Sequence, residues 1–273
     1  MTQPLPPTAS PERPPRRRAP AYAGPARPEL VIDLDALARN WRALAARAPS
    51  AECAAVVKAD AYGCGLAPCA LALHAAGART FFVAQTEEGT ALREALGPER
   101  AATIHVLNGF TPGDAALVRA FRLSPVLVSL PQIEAWLDAF DEDEGAEPCG
   151  LHLESGINRM ALTSAELDAL RRRPPEGLRV QLVMSHLACA DDPSNSMNGR
   201  QRGAFAGRSA LARPLAPEAR RSLAATGGVL IGPAFHLDLV RPGVGLFGGL
   251  PFADAAPVAH LSAPLLQVRE IPR

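Results

Sequence analysis

From Glu29 onward, short apolar runs alternate with longer stretches in which apolar residues recur at helical spacing. The short runs are Ala54–Val57, Phe81–Ala84, Ile104–Leu107, Val126–Val128, Leu151–Leu153 and Val180–Met184. They are too short for helices and rich in Val, Ile and Phe, so they read as buried strands. Ala- and Leu-rich helical stretches cover 35–47, 67–76, 87–96, 112–120, 131–140, 164–172 and 199–212. Thr163-x-x-Glu166, ahead of Leu167 and Leu170, has the form of a capping box and predicts a helix start there. Further strand-like segments lie near Leu223–Ala225 and Leu237–Val240.

Strands separated by helices of this length imply crossover connections and a parallel sheet. About eight such units predict an α/β fold of the (β/α)8 TIM-barrel type. A dinucleotide-binding fold lacks its best marker, because no G-x-G-x-x-G follows the first strand. In a barrel, chemistry collects where the strands end at one mouth. Counted from Glu29, Lys58 ends the second strand, Glu154 and Arg159 follow the sixth, His186 follows the seventh and Arg241 ends the last.

The flanks differ in pattern. Residues 1–28 are rich in Pro and Arg and lack the apolar core of a secretory signal, so they predict a disordered tail. The barrel is expected over 29–256. From 257 to 273 an alternation through Leu261, Ala263 and Leu265 predicts a strand opening a second domain that is cut short.

Composition removes several function classes. Lys plus Arg equals Asp plus Glu, at 28 each, so no global field invites nucleic acid. No apolar run approaches the length of a membrane helix. Five cysteines (Cys53, Cys64, Cys69, Cys149 and Cys189) show no paired spacing, which points to reduced thiols, a cytoplasmic location and no metal site.

The chemistry centres on A-V-V-K-A-D-A-Y-G-C-G, from Ala55. A lysine amine at a buried strand end is a Schiff-base candidate, since desolvation frees its lone pair. A barrel-rim lysine reaching to solvent is the plainer alternative. Gly63 and Gly65 permit close backbone approach, and Tyr62 adds a hydroxyl. At the far end Arg241-Pro-Gly243-Val244-Gly245 exposes glycine-flanked N–H groups suited to phosphate, if a helix starts there. Lysine at one strand end and a phosphate cradle at another suggest pyridoxal phosphate.

Four motifs carry a family resemblance. V-K-A-D-A-Y-G-C-G resembles the alanine racemase motif V-K-A-[ND]-A-Y-G-H-G. E-S-G-I-N-R-M from Glu154 resembles D-T-G-M-x-R-L, and M-S-H-L-A-C-A-D from Met184 resembles T-H-[FL]-A-x-A-[DE]. L-V-R-P-G-V-G-L-F-G-G from Leu239 is similar to V-R-P-G-I-x-L-Y-G. All four come in the family's order and span roughly Glu29 to the C-terminus.

The resemblance implies a fold type III pyridoxal-phosphate barrel that interconverts L- and D-alanine and supplies D-alanine for peptidoglycan. Lys58 would bind the cofactor covalently and serve as one acid/base group at the substrate Cα. Tyr62, Thr226 and the backbone of Gly243 and Val244 would hold the phosphate. His186 would lie against the pyridine ring, Leu107 would line the pocket, and Arg241 would face the ring nitrogen. Arg159 would reach the phenolic oxygen and the substrate carboxylate. The expected partners are a small amino-acid substrate, alanine, and a second copy in a homodimer.

Departures from the family pattern bear on activity. The family's second base is a tyrosine on a β-rich C-terminal domain, whereas the tyrosines here are Tyr22 and Tyr62. Racemisation with two bases needs groups on opposite faces of a planar intermediate. Ala225 stands where the family has asparagine, His152 where many members carry a lysine supporting the Arg159 position, and Cys64 where a histidine is common. His105, His236 and His260 match no family site. A second reading is a non-catalytic pyridoxal-phosphate carrier like the single-domain cofactor homeostasis proteins. That family's lysine lies in S-K-T surroundings.

Overall fold

The structure is a computed structural model that describes residues 27–140 and 148–271. The predicted tail therefore falls outside the described residues except at 27 and 28.

Eleven strands are formed among the described residues: β1 (Glu29–Ile32), β2 (Glu52–Cys53), β3 (Ala55–Val56), β4 (Thr80–Val83), β5 (Thr103–Val106), β6 (Leu123–Leu127), β7 (Cys149–His152), β8 (Val180–Met184), β9 (Arg220–Ser222), β10 (Leu239–Val240) and β11 (Ala259–Ser262). From β3 to β9 each strand pairs in parallel with the next in sequence order. β10 pairs in parallel with β2, Leu239 beside Glu52 and Val240 beside Cys53.

Two further links close the ring. Arg241 N–H donates to Ala224 O at 2.8 Å, joining β10 to the exit of β9. Ala54 N–H donates to Val240 O at 2.9 Å, so β2 and β3 act as one strand with a single-residue break. The result is the predicted eight-stranded parallel barrel, with every strand pointing its C-terminal end toward the same mouth.

The strand count differs from the sequence expectation by one. β1 pairs with β11 in a separate two-stranded sheet, so Lys58 follows the first barrel strand. Glu154 and Arg159 follow the fifth, and His186 follows the sixth. The apolar pattern of Leu30 and Val31 suits any half-covered strand, and both side chains are exposed. The alternation read from 261 onward is realised as a strand only to Ser262, and residues 263–271 form no regular element.

The helices pack outside the ring. Leu34–Arg47 begins with Asp33 accepting Ala36 N–H at 2.8 Å and buries Leu37, Trp41 and Leu44 at helical spacing. Its Asn40, 3% exposed, donates to the carbonyls of Leu246 and Ala256 and accepts from Ala256 N–H. The predicted capping box is formed: Thr163 Oγ1 accepts from Glu166 N–H at 3.2 Å, and Thr163 N–H donates to Glu166 Oε2 at 2.8 Å. The short helix Thr226–Ile231 has no counterpart in the apolar periodicity. Its six residues are too few to show one.

The larger apolar cluster includes Leu37, Phe81, Ile104, Leu127 and Leu153, together with helix residues such as Leu73, Leu92 and Trp136. A smaller one, with Val56, Phe82, Val126, Leu182, Met184 and Leu239, fills the barrel interior. Alternate residues of one strand, such as Phe81 and Phe82, serve the two clusters, as the pleat requires.

Candidate active site

Seven of the nine residues expected at the site line one cavity of about 210 Å³: Lys58, Tyr62, Leu107, Arg159, His186, Arg241 and Gly243. His152, Phe82 and Met184 complete much of the wall. Thr226 and Val244 are not among its lining residues. Thr226 is buried behind the glycines, where its Oγ1 accepts the N–H groups of Gly243 and Gly245, each at 3.2 Å. The side chain of Val244 is exposed, at the head of a 3-10 helix, Val244–Phe247.

The lysine stands on an unusual turn. Ala59, Asp60, Ala61 and Tyr62 have φ of 53°, 51°, 55° and 55°, four successive left-handed residues none of which is glycine. Such a conformation costs about 1–2 kcal/mol for each L-residue, so other contacts must hold it. Asp60 Oδ1 accepts Leu66 N–H at 2.6 Å, capping the helix Leu66–Ala76. Glu88 Oε1 accepts Ala59 N–H at 2.6 Å, while its Oε2 accepts Ala84 N–H, also at 2.6 Å. Tyr62 packs at a tilt against Phe247, ring centroids 4.9 Å apart. Its hydroxyl sits so close to Gly243 that an added Cβ there would lie 2.3 Å from the oxygen. Glycine at 243 is thus a requirement of close approach.

The opposite wall is fixed by buried polar contacts. Arg241 is 3% exposed and has no carboxylate partner among the described residues. Its guanidinium donates to Ser222 Oγ and, at 2.6 Å, to Ser185 O. The chain of contacts continues from Ser185 Oγ to Leu153 O at 2.7 Å and to Ser155 Oγ at 2.6 Å. The guanidinium also lies over the Phe82 ring, 5.7 Å from its centroid. Burial, and then the charge of Arg159, lower the Arg241 pKa to about 9, so it stays protonated at neutral pH.

Glu154 serves the Arg159 loop. Burial alone would raise its carboxyl, but N–H groups of Gly156, Asn158, Ile157 and Ser155 outweigh that and hold it below its ordinary value. Gln201 does the same work for the His186 loop, accepting from Ala188 N–H at 2.8 Å and donating to His186 O at 3.0 Å. Burial and the charge of Arg241 hold His186 and His152 at about 3, so both imidazoles are neutral at neutral pH.

The cavity carries Lys58, Arg159 and Arg241 and no Asp or Glu among its described lining residues. Cations converging without a counter-charge suit an anionic ligand. His152 Nε2, buried at this wall, has no hydrogen-bond partner among the described residues. Glycines where a side chain would collide, an amine, a phenol and a buried guanidinium together fit a flat, phosphate-bearing, carbonyl-reactive cofactor. Glu88, Ser222, Ser185, Gln201 and Asn40 went unread in the sequence. The contacts that join them to the site run to groups far along the chain, which leave no trace in the local sequence.

Comparison with known proteins agrees with this geometry. The family model for the alanine racemase N-terminal domain matches residues 32–251. The alanine racemase of Cereibacter sphaeroides (strain ATCC 17029 / ATH 2.4.9) is 49% identical over 243 residues, covering 89% of this chain and 66% of that protein. That of Ruegeria sp. (strain TM1040) is 48% identical over 242 residues, with the same coverage. Among solved structures, alanine racemase from Bartonella henselae with covalently bound pyridoxal phosphate superposes with a TM-score of 0.82 at 36% identity. That match covers 90% of this chain and 69% of the other. Biosynthetic alanine racemase from Pseudomonas aeruginosa gives 0.79 at 33% identity. The chain spans 66% of the length of the curated relatives named here, just under two thirds. No helix among the described residues is long and apolar enough to cross a membrane.

Proposed function

Because the chain belongs to the alanine racemase N-terminal-domain family, we propose that it binds pyridoxal phosphate through Lys58 and forms the cofactor-holding barrel of an enzyme interconverting L- and D-alanine. The observation that carries this reading is the convergence of Lys58, Tyr62, His186, Arg241 and Gly243 on one acid-free cavity. Covalent cofactor in the Bartonella henselae relative supports it. The carrier reading has no comparable support, since the relatives named above are racemases.

When bound, the cofactor supplies an electron sink that acidifies the substrate Cα–H. The protein groups do the rest. Lys58 Nζ anchors the cofactor and moves a proton at Cα on its own side. Tyr62 Oη and the Val244 N–H hold the phosphate, with Thr226 bracing the glycine backbone behind them. Arg241, kept cationic and immobile by Ser222 and Ser185, donates to the ring nitrogen without surrendering its proton. His186, neutral, packs on the ring, Leu107 lines the pocket, and Arg159 takes the substrate carboxylate.

Two-sided proton exchange requires another acid/base group on the face away from Lys58. Tyr62 is the sole tyrosine among the described residues, and its place is at the phosphate. The family's second tyrosine lies on its C-terminal domain, so the barrel span alone is expected to turn over slowly. Dimerisation and cytoplasmic D-alanine supply for peptidoglycan belong to the same proposal. An absorbance titration with pyridoxal phosphate should show saturable, one-to-one uptake that survives gel filtration and is lost in Lys58→Ala. Equal retention by the variant would contradict the reading.

A further inference from the structure

We propose that Glu88 is the positioning residue that keeps the lysine-bearing turn left-handed, an inference about the site's preorganisation that rests on the function proposed above. The turn's own hydrogen bonds do not select its hand. Ala61 N–H to Val57 O at 3.0 Å and Gly63 N–H to Ala59 O at 2.9 Å are the four-residue-spaced bonds that a right-handed turn would make equally well. The sterically preferred state of four successive L-residues is right-handed. Something outside the turn must favour the other hand.

Glu88 is placed to do so. Its Oε2 accepts Ala84 N–H at 2.6 Å and Gln85 N–H at 3.2 Å, the normal work of a capping-box glutamate at the head of the helix Thr86–Leu96. Its Oε1 leaves that helix and takes Ala59 N–H at 2.6 Å, the donor directly after Lys58. One carboxylate therefore ties the exit of β3 to the exit of β4, and Ala84, which it also holds, lines the cavity with Lys58. The left-handed run ends by setting Tyr62 Oη against Gly243, so its hand determines where amine and phenol stand relative to each other. Asp60, the turn's other carboxylate anchor, serves the downstream helix through Leu66.

The two oxygens separate the capping role from the positioning role. In Glu88→Gln the amide oxygen can still cap Ala84 and Gln85, but the amide nitrogen cannot accept from Ala59. Hydrogen exchange on the full chain without cofactor should show the peptide spanning 59–63 exchanging at least about tenfold faster in Glu88→Gln, with β4 and β5 unchanged. Borohydride fixation of pyridoxal phosphate to Lys58 should slow by about tenfold or more. Adding Ala59→Gly, which removes the steric cost of positive φ, should restore at least about a third of the fixation rate. Unchanged protection at 59–63, or loosening shared equally by β4 and β5, would overturn the proposal. If the unaltered chain takes no label at Lys58, the function reading fails, and the exchange experiment still decides the role of Glu88.

Discussion

The lysine side of the cavity and the arginine side are built by opposite means. Lys58 is half-buried and is followed by four left-handed residues held by a carboxylate from the helix Thr86–Leu96. Arg241 stands at the end of a regular barrel strand, 3% exposed, gripped by a serine hydroxyl and a carbonyl. On the proposed function, one wall bears a group whose work would require movement between cofactor and substrate. The other bears a charge that must stay where it is. Backbone strain preorganises the first, and buried hydrogen bonding immobilises the second. The walls meet where Tyr62 Oη presses on the Gly243 backbone.

The sharpest way to break this contrast is at the fixed wall. Arg241→Leu should weaken cofactor uptake by about 100-fold, as expected for losing a charged hydrogen bond worth about 1.5–3 kcal/mol in a dry site. Absorbance titration measures it, and unchanged affinity would show that the guanidinium is merely structural. At the junction, Gly243→Ala should cost about tenfold in affinity, because its methyl collides with the Tyr62 hydroxyl and shifts the phosphate contact. Gly199→Ala, with no atom near the added carbon, is the control and should leave affinity unchanged.

The smallest effect concerns the barrel interior beneath both walls. His105 is fully buried and stacked on Phe82 with ring centroids 4.8 Å apart. Burial, and then the charge of Arg220, lower its pKa from 6.5 to about 3. Between those values the unfolded chain takes up a proton that the folded one excludes. The stability is therefore whole above pH 6.5 and is lost as pH falls toward 3. In His105→Leu the drop in unfolding free energy between about pH 7.5 and about pH 5.5 should be shallower by about 1 kcal/mol. Denaturant melts at the two pH values test it, and an unchanged drop would place the acid sensitivity elsewhere.

Much of this architecture was readable because periodicity and motif are local. The short apolar runs overlap seven of the eight barrel strands; the other, Arg220–Ser222, ends just before the run expected at Leu223–Ala225, because its own residues include two arginines. Thr163 and Glu166 marked a helix start to the residue. The cavity residues Lys58, Tyr62, Arg159, His186 and Arg241 were readable because each follows a strand that had been recognised. What escaped was set by tertiary packing. Nothing in L-V-I indicates that β1 pairs with β11 rather than entering the ring. Thr226 shows only a hydroxyl in sequence, and its place behind the glycines depends on two backbone donors 17 and 19 residues away. Glu88 looks like an ordinary capping glutamate, and only the fold brings its second oxygen to Ala59, 29 residues earlier.

On the proposed function, the amine of Lys58 is the cofactor's attachment point. Incubating the full chain with pyridoxal phosphate, reducing with borohydride and mapping the peptides measures it directly. One phosphopyridoxyl group per chain is expected, on the peptide containing Lys58. Lys58 is the one lysine of the sequence, so a chain left unlabelled there, or labelled no faster than the same lysine in the denatured chain, would contradict it.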